Sequence, residues 1–197
     1  MTRYFLVYKP YRVLSQFTST DGKECLKDYF KLPKSVYSVG RLDYDSEGLL
    51  ILTNDKALNT KLLHPAYKHS RSYLVQVDGS ITHEAVHQLE KGVTINIDGK
   101  LYHTLPAKAR IVEEPGWLPE RNPPIRTRKS VPTSWIELTL TEGKNRQVRK
   151  MTAAVGFPTL RLIRIAIEGI ELGNLKPGDI KEISRNTIYS RLFNERL

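Results

Sequence analysis

Residues 49–53, Leu49-Leu50-Ile51-Leu52-Thr53, are a continuous apolar run of strand length that follows directly on Gly40-Arg41-Leu42-Asp43-Tyr44-Asp45-Ser46-Glu47-Gly48. A run that is apolar at successive positions has no face to give to water, so it predicts a strand buried on both sides. The segment before it then reads as a loop leading into that strand. It sets the Asp43 carboxylate beside Arg41 on a rigid support, which is how scaffolds present reactive groups.

The rest of the chain predicts helices and strands that mix without strict alternation. Residues 4–8 read as a first strand and 23–30 as a short helix ending near Pro33. Asn54-Asp55 resembles a cap before a helix over 56–63, and residues 73–77 alternate as a strand does. Thr82 is an N-cap for a helix whose apolar stripe is Ala85, Val86 and Leu89, closed by Gly92. Further strands are predicted over 107–112, 135–140, 160–167 and 180–183. The pattern favours the α+β class, with a mixed, largely antiparallel central sheet flanked by helices. A length of 197 residues suits one domain, or two closely packed and interleaved lobes of one domain over 1–197.

Several function classes are disfavoured. The apolar runs fall far short of the roughly 20 residues that span a bilayer. The N-terminus has no small-residue cleavage site and reads as a strand. The single cysteine, Cys25, leaves no partner for an internal disulfide and fits a reducing cytoplasm. Asp43, Asp45, Glu47 and Gly48 mimic the opening of an EF-hand loop, but the twelfth place, which needs a bidentate glutamate, is Asn54. His83 and His87 have zinc-binding spacing, yet they suit the solvent face of an amphipathic helix better. There is no phosphate-binding glycine loop of either common type. Neither a metal nor a nucleotide cofactor is expected.

Charge points to a polyanion. The net charge is +10, and residues 117–164 alone hold ten basic residues against three acids. Clustering of this kind predicts salt-dependent attraction to nucleic acid, although a basic face kept for solubility has the same composition. Residues 118–132, with Pro119, Pro123, Pro124 and Pro132 among the arginines, predict an extended loop, either an RNA-contacting insertion or a plain connector. In residues 141–156, Asn145 is a suitable N-cap and Gly156 a suitable C′ residue, while Val148, Met151, Thr152 and Val155 share one face. Arg146, Arg149 and Lys150 then lie at its edges or outside it. They fit phosphate contacts, or one arginine turned inward to pair with a carboxylate, and spacing does not choose between these.

At these residues the chain resembles the RsuA-type pseudouridine synthases of bacterial ribosomal RNA. Gly40-Arg41-Leu42-Asp43-Tyr44-Asp45-Ser46-Glu47-Gly48-Leu49-Leu50 is similar to the catalytic motif of that family. Glu142-Gly143-Lys144-Asn145-Arg146-Gln147-Val148-Arg149-Lys150-Met151 is similar to its arginine motif. Val7-Tyr8-Lys9-Pro10-Tyr11 resembles its opening strand and turn, and Arg71-Ser72-Tyr73-Leu74-Val75 its tyrosine motif, although lysine commonly stands at Arg71 and glycine at Lys56. Residues 117–126 and 132–135 look most like the members that act on large-subunit (23S) rRNA. Many members begin with an S4-like RNA-binding domain, whereas this chain enters the catalytic core at its first strand, which implies that the core alone binds RNA.

The resemblance implies a pseudouridine synthase fold and isomerisation of one uridine in a 23S stem-loop, by a cytoplasmic monomer without cofactor. Asp43 would attack the anomeric carbon or remove a ribose proton, acts that need neither metal nor redox group. Arg149 would hold that carboxylate ionised, and Tyr73 would stack on the uracil and serve at C5. A stacked uridine must first leave the helix. Arg41 would fill the vacated space, and Arg71, Arg121, Arg126, Arg128, Lys144, Arg146 and Lys150 would bind RNA. A non-catalytic RNA-binding factor of ribosome assembly shares the basic residues but needs none of Asp43, Tyr73 and Arg149. A carboxylate-based base glycosylase would release free uracil.

Overall fold

A computed structural model describes residues 1–125 and 131–195. In chain order the elements are β1 (Tyr4–Lys9), α1 (Leu26–Tyr29), β2 (Tyr37–Ser38), β3 (Glu47–Thr53), α2 (Lys56–Leu63), β4 (Arg71–Asp78), α3 (His83–Lys91) and β5 (Thr94–Ile97). They continue with β6 (Lys100–His103), β7 (Lys108–Val112), β8 (Thr133–Leu140), α4 (Gln147–Ala154), β9 (Thr159–Ile167), β10 (Ile170–Glu171), β11 (Ile180–Ile183) and α5 (Arg185–Phe193). Two compact units divide the chain: Met1–His69 with Ile163–Leu197, and Ser70–Leu162. Antiparallel pairs dominate, with β3 and β9 a parallel pair, so the expected α+β class with a mixed sheet holds.

In the first unit β3 is buried at all seven positions and is paired along both edges. Antiparallel β1 places Tyr8 opposite Leu49 and Lys9 opposite Gly48. Parallel β9 places Ile163 opposite Glu47 and Arg164 opposite Gly48. Phe5, Val7, Leu50 and Leu52 meet Val13, Leu26, Phe30 and Val36 in one apolar cluster. The two-sided burial is what the unbroken apolar run requires.

Asp55 ties three elements of this unit together. As N-cap of α2 its Oδ1 accepts hydrogen bonds from the Ala57 and Leu58 amides at 3.0 and 3.2 Å. Its Oδ2 accepts from Tyr4 Oη on β1 at 2.7 Å and from Tyr189 Oη on α5 at 2.8 Å. Burial alone would raise the Asp55 pKa, but the bonds from Tyr4, Tyr189 and the two amides outweigh it and hold the carboxyl below its ordinary value. A carboxyl depressed in the fold stabilises above its unfolded pKa of about 3.9, and the contribution disappears as pH falls through the lower folded value. Asp55→Ala is expected to lose about 2–4 kcal/mol at neutral pH, from a lost cap and two buried phenols left without their acceptor. Urea denaturation at pH 7 and pH 3 checks this: the gap between wild type and variant should narrow at the lower pH.

In the second unit β8 lies between β4 and β7, with Leu138 opposite both Tyr73 and Ala109. Val75, Val77, Leu89, Ile136, Leu138, Val148 and Met151 form its core, against which Tyr73 packs. Thr82 caps α3 as expected, its side chain accepting from the Ala85 amide at 3.2 Å.

Some elements differ from the sequence expectation. The helix expected over 23–30 shrinks to Leu26–Tyr29. Residues 94–103 form a hairpin, with Asp98 and Gly99 at φ +50° and +85°, the mirror-image turn that Asp-Gly favours. A further helix, α5, starts at Ser184, whose side chain accepts from the Thr187 amide. Helix α4 is not capped by Asn145: it starts after Arg146, which is left-handed at φ +53°. The Gln147 side chain instead reaches back out of the helix, its Oε1 accepting from the Lys144 amide at 2.9 Å. Gly156, at φ +89°, follows the helix end as expected.

Candidate active site

Asp43 opens a β-turn, its carbonyl accepting from the Ser46 amide at 3.0 Å. Aspartate suits the first position of such a turn. The side chain is half-buried, Arg41 is exposed and Leu42 between them is buried. This stretch belongs to no strand, so its backbone groups need other partners. The Ser15 hydroxyl supplies two of them, donating to the Leu42 carbonyl at 2.8 Å and accepting from the Leu42 amide at 3.0 Å. The Arg12 amide donates to the Tyr44 carbonyl at 2.8 Å. Asp43 is therefore bracketed by hydrogen bonds to its two neighbours.

Below the turn lies Lys9, fully buried, whose Nζ donates to the carbonyls of Pro10 at 2.9 Å and Val13 at 2.7 Å. Burial pulls its pKa down to about 7, while Glu47, Asp45 and Asp43 push it up and Arg164 lowers it further. Lys9 thus shares an electrostatic neighbourhood with the carboxylates of the turn. Glu47, the fifth residue of the apparent calcium loop, is instead the buried first residue of β3, and accepts from Tyr8 Oη at 3.5 Å. Among the described residues no group of three or more His, Cys, Asp or Glu is arranged to hold a metal. His83 and His87 are exposed on α3.

The second unit carries the other candidates. Tyr73 is half-buried on β4, and its ring packs on the core to which α4 contributes Val148 and Met151. Arg149 is half-buried on α4, with Nη1 donating to the Thr159 carbonyl at 3.4 Å. Arg71 is half-buried at the start of β4, opposite Leu140. Arg146 and Lys144 are exposed before α4, and Lys144 Nζ lies 4.8 Å from the Tyr102 ring centroid. Lys150 is half-buried.

Not every arginine of the basic segment faces water. Arg161 and Arg164 are only 4% exposed, donating to the carbonyls of Pro119 and Leu49 at 2.9 and 2.8 Å. They are internal cross-links, not part of a basic face. Arg121 donates to the carbonyls of Pro123, Pro124 and Leu160 and so braces the proline-rich loop. Arg126, Arg128 and Lys129 lie outside the described residues.

Sequence reasoning assigned no part to Glu142 beyond its place in the motif. Its Oε1 accepts from the Leu105 amide at 2.8 Å and Gln147 Nε2 at 2.6 Å, and its Oε2 from Tyr102 Oη at 2.5 Å. The bond to Glu142, followed by burial, raises the Tyr102 pKa. This carboxylate fixes the first residue of α4, two positions before Arg149. Glu142→Ala is expected to cost about 2–3 kcal/mol, since three donors lose a charged acceptor. Chemical denaturation checks it, with Glu142→Gln expected to keep part of the difference.

Comparison with known proteins bears on both units. The family described as RNA pseudouridylate synthase matches residues 3–154. The chain is 52% identical over 176 residues to the ribosomal large subunit pseudouridine synthase E of Vibrio parahaemolyticus, covering 89% of this chain and 71% of that protein. It is 51% identical over 174 residues to the protein of the same name from Xanthomonas axonopodis pv. citri, covering 87% and 89%. A crystal structure of a pseudouridylate synthase matches with a TM-score of 0.78 at 25% identity, over 98% of this chain and 74% of that one.

Proposed function

The chain belongs to the RNA pseudouridylate synthase family, and from that premise we propose that it converts one uridine of large-subunit ribosomal RNA to pseudouridine, with Asp43 acting at the ribose. The observation that carries the assignment of Asp43 is the bracket around it. A carboxylate on an unpaired loop is held by backbone bonds at the residues before and after it. Such support keeps a reactive group in position.

The reaction breaks the bond from N1 to the anomeric carbon and forms one from C5 to that carbon; N1 gains a proton and C5 loses one. An ionised Asp43 begins it, by attack on the anomeric carbon or by removing a ribose proton. Arg149 supplies the counter-charge that keeps the carboxylate ionised when RNA closes the site. Tyr73 stacks on the uracil and assists loss of the C5 proton. Arg41 occupies the space left by the flipped base, whose unstacking costs a few kcal/mol. Arg71, Lys144, Arg146 and Lys150 hold phosphates, joined by Arg126 and Arg128, while Arg121 braces the loop that precedes them. The protein acts as a cytoplasmic monomer, one catalytic domain with a stem-loop uridine as its target.

Release of tritium from 23S rRNA labelled with [5-³H]uridine tests the reading. One equivalent per rRNA is expected, with the base retained in the chain as pseudouridine. Absence of release overturns it, and free uracil in the product would identify a glycosylase instead.

A further inference from the structure

We propose that Arg12, together with Lys23, is a contact for the phosphate backbone of the substrate RNA at the edge of the Asp43 turn. The inference rests on that turn being the reactive centre. Seven described non-glycine residues have positive φ; three of them, Asp21, Asp98 and Asn194, are of the types that tolerate it. Arg12, at φ +58°, is not, and it stands in the turn after β1 where a glycine would sit without strain. The turn has no freedom to relax, because buried Lys9 grips the carbonyls of Pro10 and Val13 and the Arg12 amide is bonded to Tyr44. A strained conformation is therefore held rigidly, and it presents an exposed guanidinium on the residue whose amide is bonded to Tyr44, the neighbour of Asp43. The guanidinium carbon lies 5.5 Å from the Tyr11 ring centroid.

Lys23 approaches the same turn from another segment. Its Nζ is 5.5 Å from the Tyr44 ring centroid, and 3.6 Å from the largely exposed Asp21 carboxylate. An exposed pair of this kind is weak and yields readily to a phosphate. The turn carries two carboxylates, Asp43 and Asp45, which repel an approaching polyanion. Cations at its rim offset that repulsion where RNA must come closest.

Arg12→Gly separates contact from scaffold because the two effects have opposite signs. Removing the strain should leave the thermal midpoint unchanged or raised, while the equilibrium affinity for a 23S rRNA fragment falls about 3- to 10-fold at 0.15 M salt, as expected for one lost phosphate contact. The slope of log affinity against log salt should drop by about one, and by about two in Arg12→Gly with Lys23→Ala. In turnover the loss should fall mainly on KM, and Arg12→Lys should restore most of it. Unchanged affinity and slope in Arg12→Gly overturn the proposal, as does a loss accompanied by a lowered thermal midpoint. Binding is read without turnover, so the outcome is independent of the chemistry. Full activity in Asp43→Asn would remove the catalytic reading, while an inactive Asp43→Asn with unaltered binding in Arg12→Gly would remove only the contact.

Discussion

Asp43→Asn is expected to reduce tritium release by about 10⁴-fold or more, the scale on which loss of a reacting group is felt in enzymes. Asparagine has nearly the same shape but no negative charge, so it neither attacks the anomeric carbon nor takes a ribose proton. The fold should survive. The turn is held through the backbone of residue 43, whose carbonyl accepts from Ser46, and through Leu42 and Tyr44, which Ser15 and Arg12 grip. Circular dichroism and the thermal midpoint should therefore match wild type. Asp45→Asn, two residues along in the same turn, is the control and should keep turnover. If Asp43→Asn keeps turnover within tenfold of wild type, Asp43 is not the reacting group.

Gly48→Ala should be severely damaging to stability. Gly48 has φ +103°, and a Cβ there would lie 2.4 Å from the Arg164 carbonyl oxygen and 2.7 Å from the Arg164 nitrogen. Both are backbone atoms of the strand paired with β3, so no side chain can swing aside. Relief requires β3 to part from β9 at the register where Gly48 faces Arg164, next to the point where Arg164 Nε bonds to the Leu49 carbonyl. A loss of about 3–5 kcal/mol is expected, combining overpacking with an alanine forced to positive φ. Against a typical domain stability of about 5–15 kcal/mol, that should yield mostly insoluble or partly unfolded protein. A thermal midpoint within a few degrees of wild type would show that the strand pair has slack that the close approach denies.

Much of the fold is legible where local patterns repeat a single physical demand. The run at 49–53 requires burial on both faces: Leu50 and Leu52 join the cluster with Val13, Leu26, Phe30 and Val36, and Leu49 and Ile51, on the opposite face, are equally buried. Thr82 and Asp55 cap helices because their side chains reach amides within three residues of themselves. The hairpin at Asp98-Gly99 and the helix after Ser184 carry equally local signals, the first in turn chemistry and the second in a cap followed by Ile188, Tyr189 and Leu192 on one buried face. The start of α4 is different. Asn145 has the right chemistry for a cap, but Glu142 and Gln147 bond to one another and to Tyr102 and Leu105, so the helix begins where that network allows.

The candidate site divides along the same line. The resemblance of four ordered motifs to one family is what nominates Asp43, Tyr73 and Arg149 as candidates and points to that family; spacing alone does not choose among the arginines. It does not distinguish Arg164, buried against Leu49, from Arg146, open to water; nor does it reveal that Lys9 is enclosed, or that a serine 27 residues before Leu42 in the chain holds the Leu42 backbone. Charge and hydroxyl groups have no location until strand register and turn geometry assign them one. The sequence alone determined which residues are available for the chemistry; the tertiary structure decided which cations serve as internal braces, which face solvent, and what holds the Asp43 turn still. Those outcomes depend on contacts between segments distant in the chain, where burial and hydrogen-bond satisfaction outweigh local preference.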